Sequence, residues 1–435
     1  MSDFLAGFPF WTLQFDKNGV PSDAVASFLN EVKTADLSDL FIFSHGWNND
    51  QATALDLYTR FFTAVKAVLN DPAVASRPGA KAGVAGVLWP SILFPGDTPP
   101  AADAGGASSF SDAGQQPTLE SELPKAFCDP DQQAAVQELA ELLASRPPTE
   151  EALLSFRDKL RQIITPPQLP SQQDDLESLT GVTNDQWFDL LNAAAQPTDD
   201  EGGAASLNGP FERLWEGAKN VLRVATYWEM KNRAGVIGKG SLGPLLGTLH
   251  TGSPALRIHL LGHSFGARLV SYALAGLPDG LSGEKSPVKM LFLLQGAFSH
   301  FAFAEKLPFD GTRSGDLNGM AQRVDGPLLA TFSSKDTAVG VAYPAAAVLA
   351  GQDASDATDL MYRWEGMGCD GAQEVDAAIK ALEPFPVVYP FKAGEWLNLD
   401  GNEVIIAGGP PSGAHSDIVH PETAWVVLAA SRMVT

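Results

Sequence analysis

Three short stretches hold residue types that could do covalent chemistry together. The first is Gly262-His263-Ser264-Phe265-Gly266, which follows the apolar run Ile258-His259-Leu260-Leu261 and leads into a segment with helical apolar spacing. A serine hydroxyl at its free pKa is a poor nucleophile. It has to project from a tight turn toward a base, with nothing crowding its approach to a carbonyl. A glycine on each side gives that clearance, so Ser264 is the candidate nucleophile. Chance placement in a chain with 41 glycines would explain the pentapeptide, but not its strand-to-helix setting.

The second and third stretches hold an acid and a base. A base that serves a serine needs a carboxylate to fix its tautomer. Asp336 follows the apolar run 328–333, and His415 follows the apolar run 404–407. His420 is the rival base, but His420-Pro421-Glu422 has the pattern of a helix start. Among rival acids, Asp417 is too close in sequence to His415 to sit easily at its Nδ1, and Asp353 and Asp356 lie further from a strand end.

These residues need elements to position them. Apolar strands are predicted at 8–16, 40–44, 84–89, 288–294, 328–333 and 404–407, besides the run before Ser264. Helices are predicted near 22–33, from about 50 to Leu69, from Phe211 to Trp228, near 341–350 and 372–382, and at 421–433. Such alternation argues for an α/β protein with a mostly parallel sheet covered on both faces. In such sheets the working loops lie at the carboxyl ends of strands. That edge collects His45-Gly46-Trp47-Asn48, Gln295, Ser299 and His300 beside the three candidates.

Residues 96–210 differ in character. Connectors rich in Pro, Gly, Ser and Ala enclose helical stripes such as Val136/Leu139/Leu143 and Leu153/Phe156/Leu160/Ile163. The expected organisation is a core of 1–95 and 211–435 with a helical cap or lid inserted at 96–210. Most of the net charge of −23 falls in this insertion, where it reads as a solvated surface. No acidic cluster has metal-ligand spacing, so neither metal nor cofactor is expected.

The bulk properties exclude other classes. A charge of −23 and a pI near 4.6 repel a phosphate backbone and an anionic membrane surface, which disfavours nucleic-acid binding. No apolar run reaches spanning length and the first residues do not resemble a signal peptide, so integral membrane association is not expected and the expected location is the cytoplasm. Cys128 and Cys369 are too few for a disulfide framework or a zinc cluster.

The order Ser264, Asp336, His415 on strand-end loops, with the His45-Gly46-Trp47 loop, resembles the α/β-hydrolase superfamily in its serine esterase and lipase branch. The resemblance covers 1–95 and 211–435 as an architecture; 96–210 matches only the habit of carrying a cap. It implies that Ser264 attacks the carbonyl, His415 carries the proton and Asp336 orients His415. It also implies an oxyanion hole formed by the backbone N–H groups of Phe265 and Trp47, with the Trp47 ring walling the acyl pocket. His45, Asn48, His263 and His300 fall where they could touch substrate, and structural hydrogen bonding is the competing role for the histidines.

The implied activity is hydrolysis of a carboxylic ester, small-molecule, lipid or polyester, through an acyl-enzyme. Phe127, Phe156, Trp187 and Phe188 in the insertion point to a lipase or polyester hydrolase with a hydrophobic capped pocket. An amidase, thioesterase or acyltransferase would use the same residues. The competing class is a catalytically silent binding protein on a hydrolase fold.

Overall fold

The apolar runs become the strands of one nine-stranded sheet, in a computed structural model that describes residues 3–47, 49–92, 118–164, 183–195, 209–338, 365–409 and 412–435. A short hairpin, β1 (Asp3–Leu5) and β2 (Phe8–Gln14), forms one edge. Next in the chain come α1 (Asp23–Thr34), β3 (Asp39–Ser44), α2 (Gln51–Leu69) and β4 (Ala82–Leu88). Among the described residues of the insertion the α-helices are α3 (Leu119–Ala126), α4 (Gln133–Ser145), α5 (Glu150–Ile163) and α6 (Asn184–Ala194).

The chain returns through a long helix, α7 (Pro210–Ile237), and through α8 (Gly243–Gly252) to β5 (Arg257–His263) and α9 (Phe265–Ala275). The remaining strands are β6 (Val288–Leu294), β7 (Leu328–Phe332), β8 (Ala377–Ala381) and β9 (Trp396–Asp400), and α10 (Pro421–Ala430) closes the fold.

The spatial order is β1-β2-β4-β3-β5-β6-β7-β9-β8, and every neighbouring pair except β1–β2 is parallel. From β3 the chain moves to β4 on one side; from β5 it moves to β6 on the other. The carboxyl ends of β3 and β5 therefore lie side by side where the winding reverses, with Ser44 opposite Gly262. A crevice opens at such a switch point, and it is the usual place for a ligand in an open α/β sheet.

β3 shows why the sheet is double-faced. All six of its residues are buried. Leu40 and Ile42 enter a core shared with α1, α7, α8 and α9, while Phe41 and Phe43 enter another, shared with Tyr58, Phe61 and Phe62 of α2 and Trp425 of α10. The first core continues without a break from Trp215 of α7 into the insertion, taking in Leu139, Phe156 and Trp187. The indole N–H of Trp187 donates to the carbonyl of Leu153 (3.0 Å), and that of Trp215 to the carbonyl of Pro147 (3.0 Å). Phe127, Phe156 and Trp187 are fully buried in this shared core, so these rings do not argue for an acyl pocket.

Several expectations change. Residues 404–407 run from the end of a turn into irregular loop, and the strand lies earlier, at Trp396–Asp400. Asn398 at its centre hides the apolar pattern; it is buried because its amide exchanges hydrogen bonds with the Ala372 backbone (2.9 and 3.0 Å). Within 372–382 the predicted helix is replaced by β8, an exposed edge strand whose pairing with β9 overrides the helix propensity of its alanines. The connector expected before Pro254 contains α8. The helix predicted at 341–350 falls outside the described residues. Cys128 and Cys369 are both free thiols.

Candidate active site

β5 ends at His263, and the next residue has φ 57° and ψ −123°. That conformation is sparsely populated for any residue with a Cβ and costs on the order of 1–3 kcal/mol. Ser264 is held in it from both sides. Its N–H donates to the carbonyl of Leu294 (3.1 Å), and its carbonyl accepts from Ala267 (3.1 Å) and Ala297 (3.2 Å). α9 begins at Phe265, so the Phe265 N–H has no carbonyl one turn back within its own helix.

The loop after β3 is fastened against this turn. The backbone N–H of His45 donates to the Tyr58 hydroxyl (2.9 Å), which donates to the carbonyl of Val87 (2.6 Å). His45 Nδ1–H donates to the Gly46 carbonyl (2.8 Å), and Nε2 accepts from the Trp89 N–H (3.4 Å). These bonds fix the tautomer, and burial pushes the His45 imidazole down to about 4. Asn49 secures the loop from its far side, donating through Nδ2 to the Trp47 carbonyl (2.8 Å).

The approach is close enough to exclude side chains. A Cβ on Gly46 would lie 2.4 Å from the Ser264 Cβ and 2.9 Å from its Oγ, while one on Gly266 would lie 2.0 Å from the Ser44 carbonyl oxygen. The Trp47 ring sits edge-on to Tyr227 of α7 (centroids 5.9 Å apart, 84° between planes) and 6.4 Å from Phe265. Its indole nitrogen is buried with no hydrogen-bond partner among the described residues.

Asp336 and His415 come together across a separation of 79 residues, Asp336 Oδ2 accepting from His415 Nδ1–H at 2.8 Å. Both are buried. A bridge between Asp336 and Gly413 ties their loops, and the Ala414 N–H donates to the Lys335 carbonyl (2.8 Å). The same Asp336 oxygen accepts from Gln295 Nε2 (2.9 Å), and Oδ1 accepts from the Ala338 N–H (3.1 Å).

Gln295 is a residue whose part the sequence did not reveal. It directly follows β6 and adopts φ 44°. Its Oε1 accepts from Thr331 Oγ1 (2.9 Å), and Nε2 also donates to the Gly368 carbonyl (3.0 Å). Gly368 fits closely: a Cβ there would meet Asp336 Oδ2 at 2.8 Å.

The serine turn and the histidine loop are joined through His263. Its Nε2–H donates to the His415 carbonyl (2.9 Å), and the two rings are 5.0 Å apart. Burial first, then the neighbouring His415, pushes the His263 imidazole down to about 3, which keeps it a neutral donor.

The remaining histidines lie in other settings. His420 Nε2 sits 2.9 Å from Asp417 Oδ1, and its residue caps the start of α10. The other Asp417 oxygen accepts from the N–H groups of Ile406 (2.9 Å) and Ala407 (2.8 Å). His259 pairs with Asp39 at the opposite end of the sheet (2.8 Å). His300 is buried, with Nδ1 2.9 Å from both oxygens of Asp370. Asn48, Asp353 and Asp356 lie outside the described residues.

The chain matches no protein-family model, no curated protein and no solved structure. Among the described residues, no helix is long and apolar enough to cross a membrane.

Proposed function

We propose that the protein is a serine hydrolase of the α/β-hydrolase type that cleaves carboxylic esters through an acyl-enzyme. The observation that carries this reading is the buried Asp336–His415 hydrogen bond, linked through His263 to the strained turn that holds Ser264. A strained serine conformation, an imidazole fixed by a buried carboxylate and a glycine-bearing loop pressed on the serine are the parts that acyl transfer needs.

In this reaction Ser264 Oγ attacks the ester carbonyl while His415 Nε2 takes its proton. Asp336 Oδ2 accepts from Nδ1–H throughout, holding the tautomer and stabilising the imidazolium. The carbonyl oxygen becomes an oxyanion and accepts from the backbone N–H groups of Phe265 and Trp47, each such donor contributing about 3–4 kcal/mol to the transition state. Collapse breaks the ester C–O bond, and the leaving alkoxide takes the proton from His415. Water, deprotonated by His415, then attacks the acyl-serine, and Ser264 leaves with its proton restored. Gln295 acts behind these groups by holding the Asp336 carboxylate toward the imidazole.

Esters are favoured over amides because an alkoxide needs less help to leave than an amine. The test is a fluorophosphonate label followed by peptide mapping, with a panel of p-nitrophenyl esters. Labelling of Ser264 and ester turnover that vanishes in Ser264→Ala is the expected result. A wild-type chain that neither labels nor turns over esters would leave the fold as a binding module.

A further inference from the structure

Away from Ser264, the loop after β6 meets the segment that leads into β8, and the meeting point gathers three groups able to ligate a metal. Ligand atoms of His300, Glu365 and Asp370 all lie within 4.8 Å of one another. The backbones that carry them are already stitched together. Ser299 bridges to Gly366, the His300 N–H donates to the Glu365 carbonyl (3.4 Å), and the Gln373 N–H donates to the His300 carbonyl (2.9 Å). The two carboxylates lie 65 and 70 positions from His300 in sequence, so no local spacing motif announces the set.

We propose that His300, Glu365 and Asp370 form a divalent-cation site of the zinc type that clasps these two segments. This proposal is independent of the hydrolase reading. One imidazole and two carboxylates suit zinc better than calcium, which prefers six to eight oxygens. Ligand atoms on a tetrahedral zinc lie about 3.3 Å apart, given bonds of about 2.0–2.1 Å. The cluster therefore needs a contraction of about 1.5 Å at most, which side-chain rotation can supply. On binding, Nδ1 gives up the proton it shares with Asp370, the imidazole carries its single proton on Nε2, and Nδ1 bonds to the metal in place of its hydrogen bond.

The charges at the site favour a cation. Among the described residues, neither Glu365 nor Asp370 has a lysine or arginine as an ion-pair partner, and the contact of Asp370 is with His300. The clasp also supports the candidate active site, since Gly368 accepts from Gln295 and packs against Asp336.

The experiment uses the full chain, stripped with a chelator and titrated with Zn2+ by calorimetry, alongside Glu365→Gln and Asp370→Asn. One zinc per chain is expected, with a higher Tm when it is bound. Either substitution should weaken binding by at least about tenfold, since losing an outer partner of a ligand already costs 10–100-fold. The zinc-dependent rise in Tm should be lost in parallel, which gives a second measurement should one variant fold poorly. Ser264→Ala should bind zinc unchanged, so a failed hydrolase assignment would leave this result standing. No binding by the wild-type chain, binding undiminished in both carboxylate variants, or a preference for Ca2+ over Zn2+ would each overturn the proposal.

Discussion

Two histidines five residues apart, at and before the start of α10, each meet an aspartate, and their contact distances are almost equal. His415 meets Asp336 at 2.8 Å and His420 meets Asp417 at 2.9 Å. Asp417 is three residues from its histidine, and its second oxygen accepts from two backbone N–H groups of the preceding loop. That pair is a local device that shapes the start of a helix. Asp336 reaches its histidine from 79 positions away, and the same oxygen that meets the imidazole is held by Gln295. Contact distance does not separate the two uses. What separates them is where the carboxylate comes from and what else it touches: only the fold can bring Asp336 to His415, and His415 is tied through His263 to the turn that holds Ser264 in a strained conformation.

Substitutions can break or sharpen this contrast. The largest expected effect is from Ser264→Ala, which should lower ester kcat by roughly 10^4–10^6-fold, measured with a p-nitrophenyl ester. Next, Asp336→Asn should cost about 10^4 in kcat by releasing the wrong tautomer, whereas Asp417→Asn should leave kcat within about threefold. A larger loss in Asp417→Asn than in Asp336→Asn would exchange the roles of the two pairs. Gln295→Asn tolerates the positive φ but is too short to reach Asp336, so kcat should fall about tenfold with KM nearly constant.

Two smaller effects concern stability. His45 and His263 are neutral in the folded chain, with values pushed down to about 4 and about 3, while an unfolded imidazole titrates near 6.5. The unfolded chain therefore binds more protons as the pH falls below about 6.5, and stability drops until the folded values are reached. Urea midpoints at pH 7, 5.5 and 4.5 should decline in that order. Smallest of all, His420→Ala should cost about 1 kcal/mol in the same assay with ester kcat unchanged.

The sequence disclosed the parts of the candidate site that lie close after apolar strands. Ser264 directly follows β5 and Asp336 lies four residues beyond β7, whereas the run 404–407 before His415 is not a strand, and His415 lies on the long connection after β9. The contact of Asp336 with His415 was legible as an expectation because a strand end followed by an acid is a readable signal. Gln295 was visible as a strand-end residue but not as a support, since neither its positive φ nor its link to Gly368 leaves a trace in local pattern. Asn398 interrupts the apolar rhythm of β9, so the apolar run at 404–407 outweighs it in sequence although the strand lies eight residues earlier. The rings of the insertion were legible as apolar, but their burial against one another depended on the crossing of α6 with α7, where Gly217 lies within 1.9 Å of the Leu191 carbonyl measured from an added Cβ.

The tight meeting of the β3 loop with the serine turn also limits which mutational histories the site can follow. Substitution of Gly266 would strike the carbonyl oxygens of Ser44 and His45, and substitution of Gly46 would strike Ser264 itself. Neither obstacle can be trimmed by changing a neighbouring side chain, because one is main chain and the other is the proposed nucleophile. Gly247 differs, since its obstacle is the ring of Pro278, which another residue could replace. In a selection for second-site suppressors, Gly247 variants should yield revertants at position 278. Lesions at Gly46 and Gly266 should return only by restoring glycine.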